Sequence, residues 1–477
     1  GLGHESVMEA LFKEVGRAFT ENTGSNGYDL AKTLSPTSPS DQLHRLAAIK
    51  LSTNAFNVKQ DVKHFLTQAI SKKNGFGGRG DVRQQINGWV EVYAAYWKAI
   101  NEILAVEGND AADNSSLKKP SWTKVYDAWK EMTIALHRGY TNYGFEAWTI
   151  PCLYTAGKYL RLFAIKADAE RSTTGAAGEE EVQLGDDFDP ETEEHQKLRD
   201  CEQQLKRIFT LCLSDRSTDI YDTRKWGVYA TINLLFKTYF KLNSASLART
   251  ILKALATNRA DMAPLEAYPA PQRVTFKYYE GVLFFLEENY VEAEKHLTEA
   301  WSQCHKDALG NKERILTYLI PCRLLTTHTL PSKALLEPFP RLQALFLPLA
   351  RCIRRGDLHG FDVALQEGEE EFVKRRIYLT LERGRDITLR NLLRKVFLTK
   401  GFEEPKNPGD APLRKTRVRV AEFAAAISLG SRETVDMDEV ECLLANMIYK
   451  NVMKGYISRE HGIVVLSKNG AFPGTGI

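Results

Sequence analysis

The feature that most limits the fold is the spacing of bulky residues between positions 80 and 165. Trp89, Tyr93, Tyr96 and Trp97, then Trp122, Tyr126 and Trp129, recur three, four and seven residues apart. Side chains at that interval share one face of an α-helix. Such stripes normally face a packed neighbour, so these aromatics are expected in the core rather than stacked on bases or a cofactor. Breaks at Ser35-Pro-Thr-Ser-Pro-Ser40, Gly75 to Gly80, Gly108 to Pro120 and Pro151 divide the pattern into short helices joined by loops. Ser35 and Ser38, each before a proline, also fit proline-directed phosphorylation, although helix breaking and capping account for them equally well.

With 477 residues, 43% hydrophobic and 26% charged, the chain has ample apolar surface for a core and is neither fibrous nor disordered as a whole. No stretch approaches the ~20 apolar residues of a membrane-spanning helix, and the start lacks the basic-then-apolar layout of a secretory signal. A protein of the cytosol or nucleus is expected, with no membrane insertion. Met8 opens the first helical pattern, so Gly1 to Val7 is expected to be a cloning or processing remnant. Seven scattered cysteines with no CxxC pair argue for reduced thiols rather than disulfides or a zinc site.

Charge is unevenly spread. The net charge is only +3, yet Glu179 to Glu194 holds nine acidic residues and no Lys or Arg. It follows the small-residue tract Ser172 to Gly178, and together these cannot bury enough surface to offset their ordering entropy. From Arg341 to Val420 the balance reverses, with 18 basic against 11 acidic residues. Such a region suits phosphates, although Lys374, Arg375 and Arg376 beside Glu369, Glu370 and Glu371 read better as a self-paired helix face.

In the middle of the chain, Gly281, Phe284, Ala293, Leu297 and Ala300 resemble one tetratricopeptide unit, small residues letting two helices approach while Phe284 and Leu297 fill between them. Ala248 with Leu252, and Ala334 with Leu335, are expected as degenerate neighbours. Val418 to Leu429 then reads as one helix, and Asp436-Met-Asp-Glu439 as a capping box opening a second that ends at Gly455. Tyr456 to Gly462 and Ile463-Val-Val-Leu466 form strand, turn and strand. Helix, capped helix and hairpin make a winged helix.

The expected fold is therefore mostly α: a right-handed, tetratricopeptide-like helical solenoid capped by a C-terminal winged helix. Its parts are an N-terminal helix and linker (1–35), an N-terminal helical region (36–167), a flexible acidic insertion (168–196), the helical repeats (197–410) and the winged helix (411–477).

Catalytic motifs are weak or missing. Gly75-Phe-Gly-Gly-Arg-Gly80 fits GxGxxG but follows a helical rather than a strand pattern, against cofactor binding. Arg79-Gly-Asp81 is read as a loop. No GxxxxGK[ST], HExxH or GxSxG occurs, and the expectation is no enzyme, no cofactor and no metal.

Two surfaces follow from the winged-helix pattern. The start of its second helix carries Asp436, Asp438, Glu439 and Glu441, which repel phosphates, so base-specific duplex readout is not expected. Arg414, Lys415, Arg417 and Arg419 precede the first helix, and Lys450, Lys454, Arg459 and Lys468 occupy the far end and the wing, a rim suited to sequence-tolerant contact with RNA, or with DNA. Ile463, Val464, Val465 and Leu466 cannot all face one core if side chains alternate, so with Tyr456 and Ile457 they are expected to meet a partner that covers an apolar edge.

The architecture, together with Arg273-Val-Thr-Phe-Lys-Tyr-Tyr-Glu-Gly281, Tyr318-Leu-Ile-Pro-Cys-Arg-Leu-Leu325, Val435-Asp-Met-Asp-Glu-Val-Glu-Cys-Leu-Leu-Ala-Asn-Met-Ile-Tyr449 and Lys454-Gly-Tyr-Ile-Ser458, resembles the PCI-domain family. Specifically, it is similar to the group uniting the signalosome-associated twelfth subunit and the PCI subunit of the nuclear mRNA-export complex. Trp89 to Ile100 and Gly144 to Pro151 look more like the fungal signalosome-associated branch. The resemblance covers about residues 80 to 473 without the acidic insertion. It implies a non-catalytic nuclear scaffold, with a cytoplasmic pool, that pairs with a second PCI protein through winged helices. It further implies binding of the small acidic disordered peptide of the proteasome lid, and nucleic-acid contact in transcription, splicing or mRNA export. The acidic peptide needs a basic groove, for which Arg351, Arg354, Arg355, Arg390, Arg394 and Lys395 are the candidates. The competing expectations are the export-complex subunit itself and a structural signalosome or lid subunit without a nucleic-acid role.

Overall fold

The computed structural model describes residues 6–21, 24–71, 81–108, 119–175 and 194–477. The motifs at Gly75 to Gly80 and most of the acidic run therefore lie outside the described residues. The chain separates into two compact units, Gly1–Phe276 and Lys277–Ile477.

The first unit is helical throughout its described length: α1 (Val7–Thr20), α2 (Asn26–Thr33), α3 (Arg45–Leu51), α4 (Val58–Ser71), α5 (Val82–Glu107), α6 (Trp122–Asn142), α7 (Pro151–Gly175), α8 (Gln196–Leu213), α9 (Val228–Lys241) and α10 (Leu247–Asn258). From α5 to α9 each helix packs on the next. The aromatic stripes supply that packing, with Trp89, Tyr93, Tyr96, Tyr126 and Trp129 fully buried and Phe145 stacked on Trp89 at 4.0 Å. Trp122 is half-buried instead, its ring covered by the Lys166 ammonium at 4.2 Å. Ser6 caps α1 through the Glu9 amide, so the segment read as a remnant contributes a helix start. The N-terminal part also carries a second helix, α2, which packs on α7.

Residues 168–175, expected within the acidic insertion, are helical. Helix α7 continues to Gly175, and the buried Asp168 carboxylate accepts hydrogen bonds from the Lys197 and Leu198 amides at 2.9 and 3.0 Å. Residues 168–175 thus belong to a helix that caps its successor, satisfying amides that a helix start leaves orphaned. Of the expected insertion, residues 176–193 lie outside the described part.

Helix α11 (Ala270–Leu286) straddles the division between units, and the second unit continues with α12 (Tyr290–Gln303), α13 (Leu309–Thr326), α14 (Lys333–Leu336), α15 (Pro340–Arg355), α16 (Leu358–Glu367), α17 (Glu369–Lys374), α18 (Tyr378–Glu382) and α19 (Gly384–Thr399). The repeat pair at α11 and α12 forms as expected. A Cβ on Gly281 would sit 2.6 Å from Leu297 Cγ, so only glycine permits this approach. Ala293, Leu297 and Ala300 are fully buried, and Phe284 stacks on His296 at 5.2 Å. Ala248 is buried in α10, whereas Ala334 is exposed on a four-residue helix and is no repeat neighbour. Arg375 pairs with Glu371 at 3.2 Å, in keeping with a self-paired face.

The unit closes with β1 (Arg417–Arg419), α20 (Val420–Ser431), α21 (Met437–Tyr449), β2 (Gly455–Ser458) and β3 (Ile463–Leu466), a winged helix whose antiparallel sheet has the order β1-β3-β2. Val418 belongs to strand β1 rather than to a helix. Its β-branched side chain is wholly buried opposite Val464, so the tertiary pairing overrides local helical spacing. Asp436 occupies the N-cap of α21 but makes no side-chain capping bond. That helix ends at Tyr449, followed by Asn451 at φ +62°. Gly455 instead opens β2, where a Cβ would meet the Val465 carbonyl at 2.3 Å. Gly462 takes the turn at φ +61° as expected.

Candidate interaction surface of the winged helix

The sheet has two unlike faces, and register decides which residues lie on each. Val418 pairs with Val464 and Val464 with Ile457, while Leu466 pairs with Gly455. Residues directly opposite one another share a face, and this is the inner one: Val464 is 0% and Leu466 3% exposed, in a core with Phe423, Val440, Leu444 and Met447. The outer face carries two rows, Arg417·Val465·Tyr456 and Arg419·Ile463·Ser458. Arg417 and Arg419 are exposed, Ile463 and Val465 half-exposed, and Tyr456 62% exposed.

This corrects the expected partner surface. Only Tyr456, Ile463 and Val465 stand on the open face; Val464 and Leu466 fill the core, and Ile457 shares their side. Nor is Ile463 to Leu466 an edge, because β1 pairs along it and makes β3 the central strand.

The basic rim is likewise divided. Lys450 is paired with Asp386 at 2.6 Å and Arg459 with Glu441 at 3.1 Å, so in each a carboxylate competes with a phosphate for the cation. The Arg414 guanidinium lies 4.5 Å from the Phe402 ring centre. Lys415, Arg417, Arg419, Lys454 and Lys468 are exposed and make no ion pair among the described residues. Arg417 and Arg419 stand two residues apart on one strand, so they adjoin the outer-face aliphatics directly.

Of the acidic-peptide candidates, Arg390 is excluded from an open groove because it is 7% exposed and donates two hydrogen bonds to Asn391 Oδ1. Burial, then the neighbouring Arg394, lowers its pKa below the usual guanidinium value. Arg354 bonds the Pro331 carbonyl at 2.8 Å, and Arg394 reaches the Thr475 carbonyl at 3.4 Å. Arg351, Arg354, Arg355 and Lys395 are exposed on the packed helices α15 and α19, where the Lys395 ammonium bonds the Arg355 carbonyl.

Sequence reasoning missed two exposed residues of the winged helix, Leu429 at 81% and Tyr449 at 88%. A signal was present. The buried stripe Val420, Phe423, Ala424, Ile427 and Ser431 skips Leu429, and Val440, Leu444 and Met447 skip Tyr449, so helical spacing puts both outside the core face. Also overlooked was the C-terminal Phe472, fully buried against Phe397 of α19 at 5.7 Å.

Helices closed by a winged helix with one open sheet face define a PCI-type scaffold module, and a PCI domain matches residues 365–468. A protein of Gibberella zeae named Protein CSN12 homolog is 63% identical over 95% of this chain and 97% of its own length. Its namesake in Neurospora crassa is 60% identical over 98% of this chain and all of its own. PCI domain-containing protein 2 of Danio rerio is 31% identical over 73% and 79%. The chain belongs to the CSN12 family of PCI-domain proteins. Among the described residues there is no group of three or more His, Cys, Asp or Glu able to hold a metal ion, and no helix is long and apolar enough to cross a membrane.

Proposed function

We propose that this chain is a non-catalytic structural subunit of the signalosome-associated type, acting in the nucleus, that docks a second PCI-domain protein on the outer face of its winged-helix sheet. The observation that carries it is the row Arg417·Val465·Tyr456 beside Arg419·Ile463·Ser458, an apolar strip open to solvent with charge at one edge and a tyrosine at the other. That layout, an apolar centre with a polar rim and an aromatic anchor, is what protein interfaces use. The names of the fungal relatives favour a structural subunit over an export-complex subunit. An acidic peptide is assigned to the exposed Arg351, Arg354, Arg355 and Lys395. The test is capture of the tagged full chain from its own extract at mild salt after nuclease treatment, read by mass spectrometry. Retention of a second PCI-domain protein supports the proposal; a capture without any PCI-domain protein overturns it.

A second reading, contact with RNA, is favoured by the unpaired cations Lys415, Arg417 and Arg419. Replacing Arg417 and Arg419 by Glu is expected to weaken single-stranded RNA binding about tenfold at low salt. It should also flatten the slope of log affinity against log salt by about 1.4, since each phosphate contact on a single strand contributes about 0.7. An unchanged slope refutes this reading and leaves the scaffold proposal intact.

A further inference from the structure

The first unit contains a cleft that the docking surface does not use. It has a volume of about 690 Å³, within the range of small-ligand sites. The end of α1, the start of α2, the start of α7 and the segment before α9 form it, through Phe19, Tyr28, Trp148, Tyr154, Tyr221 and Trp226. Gly27 brings the floor close, since a Cβ there would lie 2.2 Å from the Trp148 carbonyl oxygen.

Three observations specify the occupant. First, the polar ends of three of these aromatics are already committed. The Trp148 indole donates to Glu146 at 2.7 Å, the Trp226 indole to the Ile220 carbonyl at 2.8 Å, and the Tyr154 hydroxyl to the Trp226 carbonyl at 3.3 Å. What these rings can offer the cleft is ring surface, apart from that already set against Phe19 (Trp148, 4.9 Å) and Tyr268 (Trp226, 4.8 Å). Second, the cleft opens to solvent beside two exposed rings, Tyr28 at 48% and Tyr221 at 87%, which an occupant can reach without rearrangement. Third, the charged residues lining it are Glu21 and Asp222, with no lysine or arginine among them, and neither carboxylate is ion-paired among the described residues.

Aromatic rings beside unpaired carboxylates attract a cation that also donates hydrogen bonds. A guanidinium meets these demands: it stacks flat on rings, carries permanent charge and presents five N–H donors to the carboxylates. We propose that this cleft binds an arginine side chain carried by a linear segment of a partner protein. Such a site is separate from the winged-helix surface and gives the scaffold a second point of attachment.

The test uses the full chain and a fluorescent peptide of alternating glycine and arginine, compared with the same peptide carrying citrulline, which keeps the shape of arginine and removes its charge. The arginine peptide is expected to bind at least about tenfold more tightly. Tyr221→Ala and Asp222→Asn should each weaken it about three- to tenfold, with unchanged melting temperatures because both residues are exposed. Equal binding of the citrulline peptide overturns the proposal. So does wild-type affinity in both variants, which would assign the binding to another acidic patch such as Glu179 to Glu194.

Discussion

Replacing Val464 and Leu466 together by Asp is expected to unfold the winged helix. Both side chains are within 3% of complete burial, on the inner face of the central strand, with Val418 opposite Val464. A carboxylate there loses the transfer energy of the aliphatic group and is buried without a partner, together about 3–5 kcal/mol or more per site. Because a domain's stability is only about 5–15 kcal/mol, two such changes exceed what this small module can absorb. Hydrogen exchange should then show lost protection across Met437–Leu466, while α5 to α9, in the other unit, keep theirs. Native protection in β3 would mean that the register given by Val418–Val464 and Val464–Ile457 is wrong.

The same change one residue away should do something different. Ile463 and Val465 sit on the outer face, half-exposed in the isolated chain, so Ile463→Asp with Val465→Asp is expected to cost about 1 kcal/mol of stability or less, as surface substitutions do. In a complex both carboxylates would be desolvated at the centre of the interface. Arg417 faces position 465 and Arg419 faces position 463 across the strands, but desolvating two such ion pairs against an apolar partner surface is not repaid by their attraction, so partner affinity should fall at least about a hundredfold. Arg417 and Arg419 lie beside these positions and soften the penalty at the rim but cannot remove it from the centre. The contrast between the two double variants, one failing to fold and the other failing to bind, separates the faces of a strand only four residues long.

Much of this was legible in the chain. The aromatic stripes and the Gly462 turn follow from spacing within one or two helical turns, and the Gly281–Leu297 contact and the α20–α21 pair join helices that are neighbours in sequence, where sequence distance and spatial distance agree. The failures share a cause: they depend on partners far apart in sequence. Strand β1 is three residues long and exists because β3, more than forty residues later, pairs with it. Taken alone, Val418 has no means of signalling that pairing. Without β1, the apolar run Ile463 to Leu466 has the pattern of an uncovered edge, and all four of its residues are expected to meet a partner. The basic candidates failed similarly. Lys450 and Arg459 read as free until Asp386 and Glu441 came beside them, and Arg390 read as exposed until α15 packed over α19. Asp168 looked like the first residue of an acidic loop, whereas its carboxylate caps the helix that begins at Gln196. Charge counts locate a basic segment, but only tertiary neighbours say which of its members remain available.

The central claim is that the outer face of the sheet, and not its inner face or the basic rim, holds the PCI partner. Its most direct measurement is equilibrium binding of the captured PCI-domain protein to the wild-type chain and to the Ile463→Asp, Val465→Asp variant, at matched salt and after melting curves show both chains folded. The account predicts at least a hundredfold loss of affinity, about 2.7 kcal/mol or more, with a melting temperature close to wild type. Equal affinity in the two chains would contradict it and place the partner elsewhere on the molecule.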